Sequence, residues 1–248
     1  MTHPQHSSTN NLPGVFICGK EDLKDLLKLD KNEILRYLSY NDTSLDEEMD
    51  KLIDSCMEEI MEISQYKYIY SIFDVIDTGS FLSLSNSTIE LRGKAIREHL
   101  KSSKYVGVMA VTLGVEVENK IKYYGKVNLT RGVILDSCAA ALVEVLCDYV
   151  EDKIKDLALG QGLNITSRFS PGYGDLPITT QSQILNSLNA SRLIGLNVSE
   201  SSILLPRKSV TAFIGLDKNV KKTIRKCSSC NLFATCQFSK GGNDSCAR

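Results

Sequence analysis

The spacing of apolar and polar positions predicts both helices and strands. Apolar residues recur at helical spacing in six segments, near residues 31–38, 49–60, 91–101, 116–124, 130–156 and 178–188. Two of these follow a capping-box pattern, in which an acceptor side chain precedes a carboxylate by three residues: Asp30 with Glu33, and Ser44 with Glu47. Both pairs therefore predict helix starts. Asp175 with Pro177 predicts the start of the helix over 178–188.

Strand patterns fall between the predicted helices, over residues 66–76, 81–84, 105–112, 202–206 and 209–215. Residues 105–112 are almost continuously apolar, which is typical of a central strand buried on both faces. The last two strands flank Pro206-Arg207-Lys208 and are expected to pair as an antiparallel hairpin. The predicted fold class is α+β, with a twisted, mainly antiparallel sheet flanked by helices.

Three regions follow from the same pattern. Residues 1–13 are polar and are predicted to be a disordered N-terminus. Residues 14–218 carry the predicted elements and form one α+β domain, a size that can bury a sizeable core. Residues 219–248 are basic and then rich in cysteine, and they form a small separate segment.

One carboxylate stands out on the longest predicted helix. Glu144 lies among apolar residues, and a carboxylate is seldom buried unless something pairs with it. It is either a solvated residue at the edge of the apolar stripe or a functional group, and spacing alone leaves both interpretations open.

The sequence RFSPGYGDLP, residues 168–177 and called the PGY segment below, is predicted to be a rigid turn. Its two glycines permit positive φ or close approach of a ligand to the backbone, and its prolines restrict the chain. The turn would present backbone N–H groups beside the guanidinium of Arg168 and the phenol of Tyr173. Such a surface suits a small carboxylate ligand, because arginine can bind a carboxylate through two parallel hydrogen bonds. An ordinary connection between two elements is the alternative.

The PGY segment resembles the S-adenosylmethionine-binding motif in the activation domain of cobalamin-dependent methionine synthase, especially in its free-standing forms. The resemblance covers most of residues 30–216. It includes the Thr-Leu-Gly that ends the strand at 105–112, and residues 200–206 followed by Lys208-Ser209-Val210. It implies that Arg168 binds the ligand carboxylate, that Glu144 meets its positive groups, and that the backbone around Ser170, Gly172 and Tyr173 approaches the adenosyl moiety. Ile214 departs from an aromatic ligand contact of the long enzyme.

The resemblance also implies a function. The chain would bind S-adenosylmethionine and support reductive methylation of cob(II)alamin, as the activation component of a methyltransferase system in methionine biosynthesis. Its partner would be a corrinoid-dependent methionine synthase or related methyltransferase that lacks its own activation domain, served by a flavodoxin- or ferredoxin-type electron donor. The alternatives are a non-catalytic S-adenosylmethionine-binding regulatory module and a metal-dependent interaction module for a corrinoid protein.

Charge and hydropathy limit the classes of partner and the cellular location that can be expected. Lys and Arg total 29 against 30 Asp and Glu, so no basic excess points to nucleic acid. No apolar run approaches the length of a membrane span, and residues 1–11 lack a signal-peptide core. These features predict a cytoplasmic protein without nucleic-acid or membrane partners.

The C-terminal segment contains a candidate metal site. Four cysteines, two of them as a C-x2-C pair, can surround one tetrahedral ion or a cluster: Cys227, Cys230, Cys236 and Cys246. The spacing leaves zinc, an iron–sulfur cluster and a redox-active Cys227–Cys230 pair open. A tail with spare thiols is the fourth alternative, and the resemblance does not extend to it.

Overall fold

The computed structural model describes residues 16–19, 23–40 and 45–219. The strands in these ranges are β1 Phe16–Gly19, β2 Lys67–Asp77, β3 Leu82–Leu84, β4 Glu90–Leu91, β5 Tyr105–Thr112, β6 Asn164–Ile165, β7 Asn197–Val198, β8 Leu204–Leu205 and β9 Ser209–Asp217. The helices are α1 Lys31–Tyr37, α2 Glu47–Ile63, α3 Lys94–Leu100, α4 Val115–Val127, α5 Leu129–Leu159, α6 Thr180–Ser187 and α7 Ala190–Ile194. No helix in the described ranges is long and apolar enough to cross a membrane.

The main sheet has seven strands in the described residues, and all of its ladders are antiparallel. Its order is β4-β3-β2-β5-β9-β6, and β1 pairs with the first half of β2 on the side opposite β5. The predicted α+β class with a mainly antiparallel sheet is confirmed.

Helices cover both faces of this sheet. On one face α1, α2 and α5 pack over Tyr68, Met109 and Ile214, and on the other α3, α6 and α7 pack over Ile69, Val108 and Phe213. β5 lies between β2 and β9, and residues 106–112 are all buried. The near-continuous apolar run in β5 therefore marks a strand buried on both faces, as predicted.

The predicted hairpin between the last two strands is wrong. β8 pairs with β7, whereas β9 pairs with β5 and β6. Pro206 has no N–H to donate to a ladder, and the next residues bond elsewhere. Arg207 N donates to Glu118 Oε2, and Lys208 O accepts from Leu113 N. These bonds separate the ends of β8 and β9 across the connection.

The first helix starts are partly as predicted. Asp30 caps α1 by accepting from Asn32 N at 2.9 Å, and Glu33 in the first turn pairs with Arg36. The cap of α2 is Asp46, which accepts from Met49 N at 2.7 Å, while Ser44 lies outside the described residues.

The predicted regions at the two ends of the chain also lie outside the described ranges. These are residues 1–13 and most of 219–248. The domain boundaries at 14 and 218 therefore stay predictions.

Candidate functional site

The PGY segment begins beside the sheet, just after β6. Phe169 pairs with Phe213 of β9 through two backbone hydrogen bonds, of 2.9 Å from Phe169 N and 2.8 Å from Phe213 N. Side chains alternate across an extended backbone, so neighbours point to opposite faces. Phe169 packs with the α3–α6 layer, while Arg168 reaches α5. The pairing with β9 therefore sets the direction of the Arg168 side chain.

Arg168 is buried against three carboxylates of α5. Its Nη1 lies 2.8 Å from Asp148 Oδ1 and 3.2 Å from Glu151 Oε2, and its Nη2 lies 3.1 Å from Glu144 Oε2. Burial alone would lower the pKa of the guanidinium, but the surrounding carboxylates outweigh it and raise that pKa. Arg168 is therefore a permanent cation held from one side by an acidic row.

Glu144 meets the description of a residue at the edge of the apolar stripe, and it also has a cationic partner. Its side chain is 40% exposed although its helix neighbours Val143 and Leu146 are buried. The pKa of Tyr37 on α1 is raised, mainly by burial and next by the charge of Glu144. The Glu144 carboxylate thus contacts Arg168, is partly exposed, and has a charge that acts on Tyr37 of α1.

The remaining acidic residues of this row were not identified from the sequence. Asp148 and Glu151 follow Glu144 by four and seven residues, which places all three on one face of α5. That spacing was visible in the sequence, but such an acidic row usually indicates a solvated helix face. Only the position of the PGY segment in the structure shows that the row contacts Arg168.

The backbone of the PGY segment closes on itself. Tyr173 N donates to Ser170 O at 3.1 Å, Leu176 N donates to Tyr173 O at 3.1 Å, and Gly172 N donates to Leu176 O at 2.9 Å. The prediction of a turn is confirmed. The N–H groups of Gly172 and Tyr173 are used within the turn, so they are not presented outward as the sequence analysis expected.

Gly172 and Tyr173 form the outer part of this turn. Gly172 has φ +91°, a conformation that residues with a Cβ rarely adopt, and a Cβ there would lie 3.3 Å from Ile178 Cδ1. Tyr173 is half exposed, and its ring packs edge-on against Phe169 with centroids 6.1 Å apart. Ser170 is partly buried at the start of the turn. The structure thus brings Ser170, Gly172 and Tyr173 together in one turn that follows Arg168.

Asp175 has a different role from the one its position suggested. It was expected to begin the helix that follows, but that helix, α6, begins at Thr180. The Asp175 carboxylate instead accepts from Lys94 N at 2.6 Å and from Ala95 N at 2.9 Å, in the first turn of α3. These hydrogen bonds, first that from Ala95, lower the pKa of Asp175.

The two residues near the expected aromatic contact are both buried in β9. Ile214 lies in the core under α5, and Phe213 lies in the core on the opposite face. Neither presents an exposed aromatic surface, and Tyr173 is the exposed aromatic residue of the PGY segment.

The structure combines a long helix that carries an acidic row, a central antiparallel sheet and the PGY turn. This arrangement can be compared with known proteins. The sequence model of a family described as "Vitamin B12 dependent methionine synthase, activation domain" matches residues 94–227. The chain belongs to this family. The match spans α3, the acidic row of α5 and the whole PGY segment.

A solved structure supports the same fold for this activation-domain chain. The crystal structure of the MetH reactivation domain bound to AdoHcy superimposes with a TM-score of 0.56 at 14% sequence identity, covering 81% of this chain and 74% of that chain. At this identity the similarity concerns the fold. No curated protein matches the chain.

The predicted metal ligands lie outside the described residues, since these end at residue 219. Within the described ranges, no group of three or more His, Cys, Asp or Glu side chains is arranged to hold a metal ion. Cys56, Cys138 and Cys147 are free and buried, which is typical of thiols in a protein core. Burial raises the pKa of Cys138 to about 12, so this thiol stays protonated and unreactive.

Proposed function

We propose that this activation-domain chain binds S-adenosylmethionine at the PGY segment and supports reductive methylation of cob(II)alamin on a corrinoid-dependent methyltransferase. The observation that carries the proposal is the Arg168–Glu144 pair, 3.1 Å apart, at the base of the PGY turn. Membership of the activation-domain family supports it, and so does the fold shared with a domain whose structure contains S-adenosylhomocysteine.

The charges of the pair suit the amino-acid end of the ligand. That end carries a carboxylate and an ammonium on the same carbon, with a sulfonium three bonds further on. Arg168 would bind the carboxylate, and Glu144 would meet the ammonium and the sulfonium. An ion pair that opens to accept a zwitterion exchanges each of its contacts for a similar one, so little desolvation energy is lost.

Binding requires one carboxylate to leave Arg168, because three α5 carboxylates contact its two Nη atoms. Glu144 and Asp148 are each 40% exposed and can turn towards solvent, whereas Glu151 is only 16% exposed. We therefore assign Glu151 to holding Arg168 in place, while Glu144 and Asp148 exchange partners when the ligand binds.

The turn would hold the other end of the ligand. The adenosyl moiety would lie along the backbone at Ser170 and Gly172, where a side chain in place of Gly172 would intrude. Tyr173 would cover it from the exposed side. Tyr173 is the exposed aromatic residue of the segment, and stacking on an aromatic face is favourable for a purine.

The chemistry assigned to this chain is positioning. The corrinoid on the partner protein supplies cobalt, which takes the methyl group after one-electron reduction, so that S-adenosylhomocysteine is released. The chain's own residues orient the sulfonium methyl towards that partner and exclude competing geometries, and no acid, base or nucleophile is assigned to them. We assign the partner as a corrinoid-dependent methionine synthase or methyltransferase without its own activation domain, with a flavodoxin- or ferredoxin-type electron donor, in the cytoplasm.

The proposed binding is tested by calorimetric titration of the purified chain with S-adenosylmethionine. The proposed activity is tested with a corrinoid methyltransferase from the same genome, a one-electron reductant and radiolabelled methyl donor. We expect label to reach the corrinoid only when the chain is present. Absence of binding would overturn the proposal, and binding without methyl transfer would identify a regulatory module instead.

The cysteine cluster is a separate proposal that rests on the sequence. Four thiols at residues 227, 230, 236 and 246 would hold zinc or an iron–sulfur cluster, and a cluster could receive the electron for reactivation. Anaerobic purification followed by elemental analysis and visible absorption distinguishes the two. Metal-free protein whose thiols titrate freely would contradict a metal site.

A further inference from the structure

The helix α3 contacts both ends of the PGY region, although none of its residues belongs to the binding motif. Its first turn donates two backbone hydrogen bonds to Asp175, near the end of the segment. Its last turn carries His99, which contacts the chain just before the segment begins. The two-turn helix α3 therefore contacts the PGY region near both of its ends.

The contact at Asp175 is unusually close. Gly93 has φ +136°, and a Cβ there would lie 2.6 Å from Asp175 Oδ1. On the facing side, a Cβ at Gly174 would lie 2.6 Å from the Cβ of Ala95. Distances under 3 Å between such atoms are not tolerated, so both glycines are required for the two backbones to approach. The turn is therefore seated directly on the start of α3.

The contact at His99 combines a hydrogen bond with ring packing. His99 Nε2 lies 2.9 Å from Ser167 O, and because a carbonyl only accepts, Nε2 carries the proton. The imidazole also packs on the ring of Phe169, with centroids 5.0 Å apart. Since Ser167 and Phe169 flank Arg168, this contact fixes the backbone from which the Arg168 side chain extends towards α5.

We propose that Asp175 and His99 are positioning residues for the S-adenosylmethionine site, holding the PGY segment on α3 in its binding conformation. This inference rests on the proposed function. Neither side chain is assigned a contact with the ligand. They act by keeping the turn in the conformation that binds. When a variant leaves only a fraction of the molecules in that conformation, the apparent affinity is multiplied by that fraction.

This role makes a distinctive prediction for ligand selectivity. Loss of a positioning contact weakens all ligands of the site by the same factor, because it changes the population of the binding conformation and not a contact with one ligand. Affinities for S-adenosylmethionine and S-adenosylhomocysteine should therefore fall in parallel. A residue that contacts the sulfonium would instead change their ratio, since only the first of these ligands carries that charge.

The variants separate the individual contacts. Asp175→Ala removes both acceptors and Asp175→Asn keeps one oxygen, so affinity should fall in the order wild type, Asn, Ala, by about two- to thirtyfold for Ala, as for loss of a helix cap. His99→Phe keeps the ring packing but loses the donor. His99→Gln keeps a donor and should recover part of the loss.

A matched control is available at Asp77. It also contacts α3, through Arg97 Nη1 at 2.6 Å, and it accepts a backbone hydrogen bond from Gly79 N at 2.8 Å. Like Asp175 it is exposed and has a lowered pKa, first because of the Arg97 contact. It does not contact the PGY segment, so Asp77→Ala should leave affinity for both ligands unchanged.

The experiment titrates the wild type and each variant with both ligands and measures amide hydrogen exchange over residues 170–176. We expect parallel losses of affinity and faster exchange for Asp175→Ala and His99→Phe. Affinities equal to those of Asp77→Ala, or a changed ligand ratio, would overturn the inference. A wild type that binds neither ligand would overturn the proposed function. The positioning role is tested separately by hydrogen exchange, and it would be overturned if the variants exchange over residues 170–176 as slowly as the wild type.

Discussion

Replacing Arg168 with lysine is the most informative single change, because it keeps the charge and removes the planar two-armed geometry. In the native chain, two Nη atoms contact three carboxylates. A lysine ammonium is one point charge on a flexible stem, so we expect it to keep the nearest carboxylate and lose at least one other contact.

The expected loss of stability follows from these contacts. A hydrogen bond to a charged group contributes about 1.5–3 kcal/mol. The Arg168 side chain is 5% exposed, but Glu144 and Asp148 are 40% exposed, and solvent screening reduces the contribution of such partners. We therefore expect about 1–2 kcal/mol of lost stability, or roughly 2–8 °C in Tm for a chain of this length.

The loss of ligand affinity depends on whether Arg168 contacts the ligand, and it is large if Arg168 binds the ligand carboxylate through two hydrogen bonds. Affinity for S-adenosylmethionine should then fall about tenfold or more, at about 1.4 kcal/mol per decade. The assay is calorimetric titration beside thermal melts of the same samples. Both quantities are needed, because a destabilised turn lowers affinity even when the side chain does not contact the ligand.

Arg131→Lys is the matched control. Arg131 also lies against a carboxylate, with Nε 3.1 Å from Glu59 Oε2, its side chain is 19% exposed, and it has no contact with the PGY segment. We expect it to lose stability like Arg168→Lys and to keep full affinity. If both variants lose similar stability and both bind the ligand as the wild type does, Arg168 is only a structural residue and the main support for the proposed site is removed.

Three further predictions concern the site and its surroundings. Glu144→Gln keeps the shape and an acceptor for Arg168, so stability should barely change. S-adenosylmethionine should bind more weakly by about 1.5–3 kcal/mol in calorimetry. Unaltered affinity would show that Glu144 is a solvated residue at the edge of the apolar stripe. Gly172→Ala should cost about 1–2 kcal/mol, because φ is +91° there, and should weaken binding as well; a variant with wild-type melting and affinity would show that the turn tolerates a side chain. Burial would raise the pKa of Glu59, but hydrogen bonds from Arg131, Lys120 and Tyr124 lower it overall. Its stabilising effect is therefore present above the unfolded pKa of about 4.3 and is lost as pH falls through the folded value, so Glu59→Gln should lower Tm at pH 7 and progressively less below about pH 4; an equal Tm loss at pH 7 and pH 3 would contradict this.

Local sequence patterns are sufficient to predict the longer elements. Continuous apolar character over β5 and helical spacing over α2 and α5 are local signals that survive in the fold, because each reflects the number of faces an element buries. The PGY segment was equally readable, since glycine and proline restrict the backbone whatever surrounds them. Membership of the activation-domain family rests on the match of its sequence model to residues 94–227, which include this segment.

The contacts between distant residues depend on the folded chain. β4, β6 and β7 have two residues each, too few for a periodic pattern, and they form only because a neighbouring strand pairs with them. Asp175 looked like the start of the next helix because a cap is usually local, yet it caps a helix about 80 positions earlier in the chain. From the sequence, Arg168 was expected to be open for a ligand. In the structure, the pairing of Phe169 with β9 directs the Arg168 side chain towards the acidic row of α5. Contacts between residues far apart in sequence leave no periodic signal, so only the folded chain shows them.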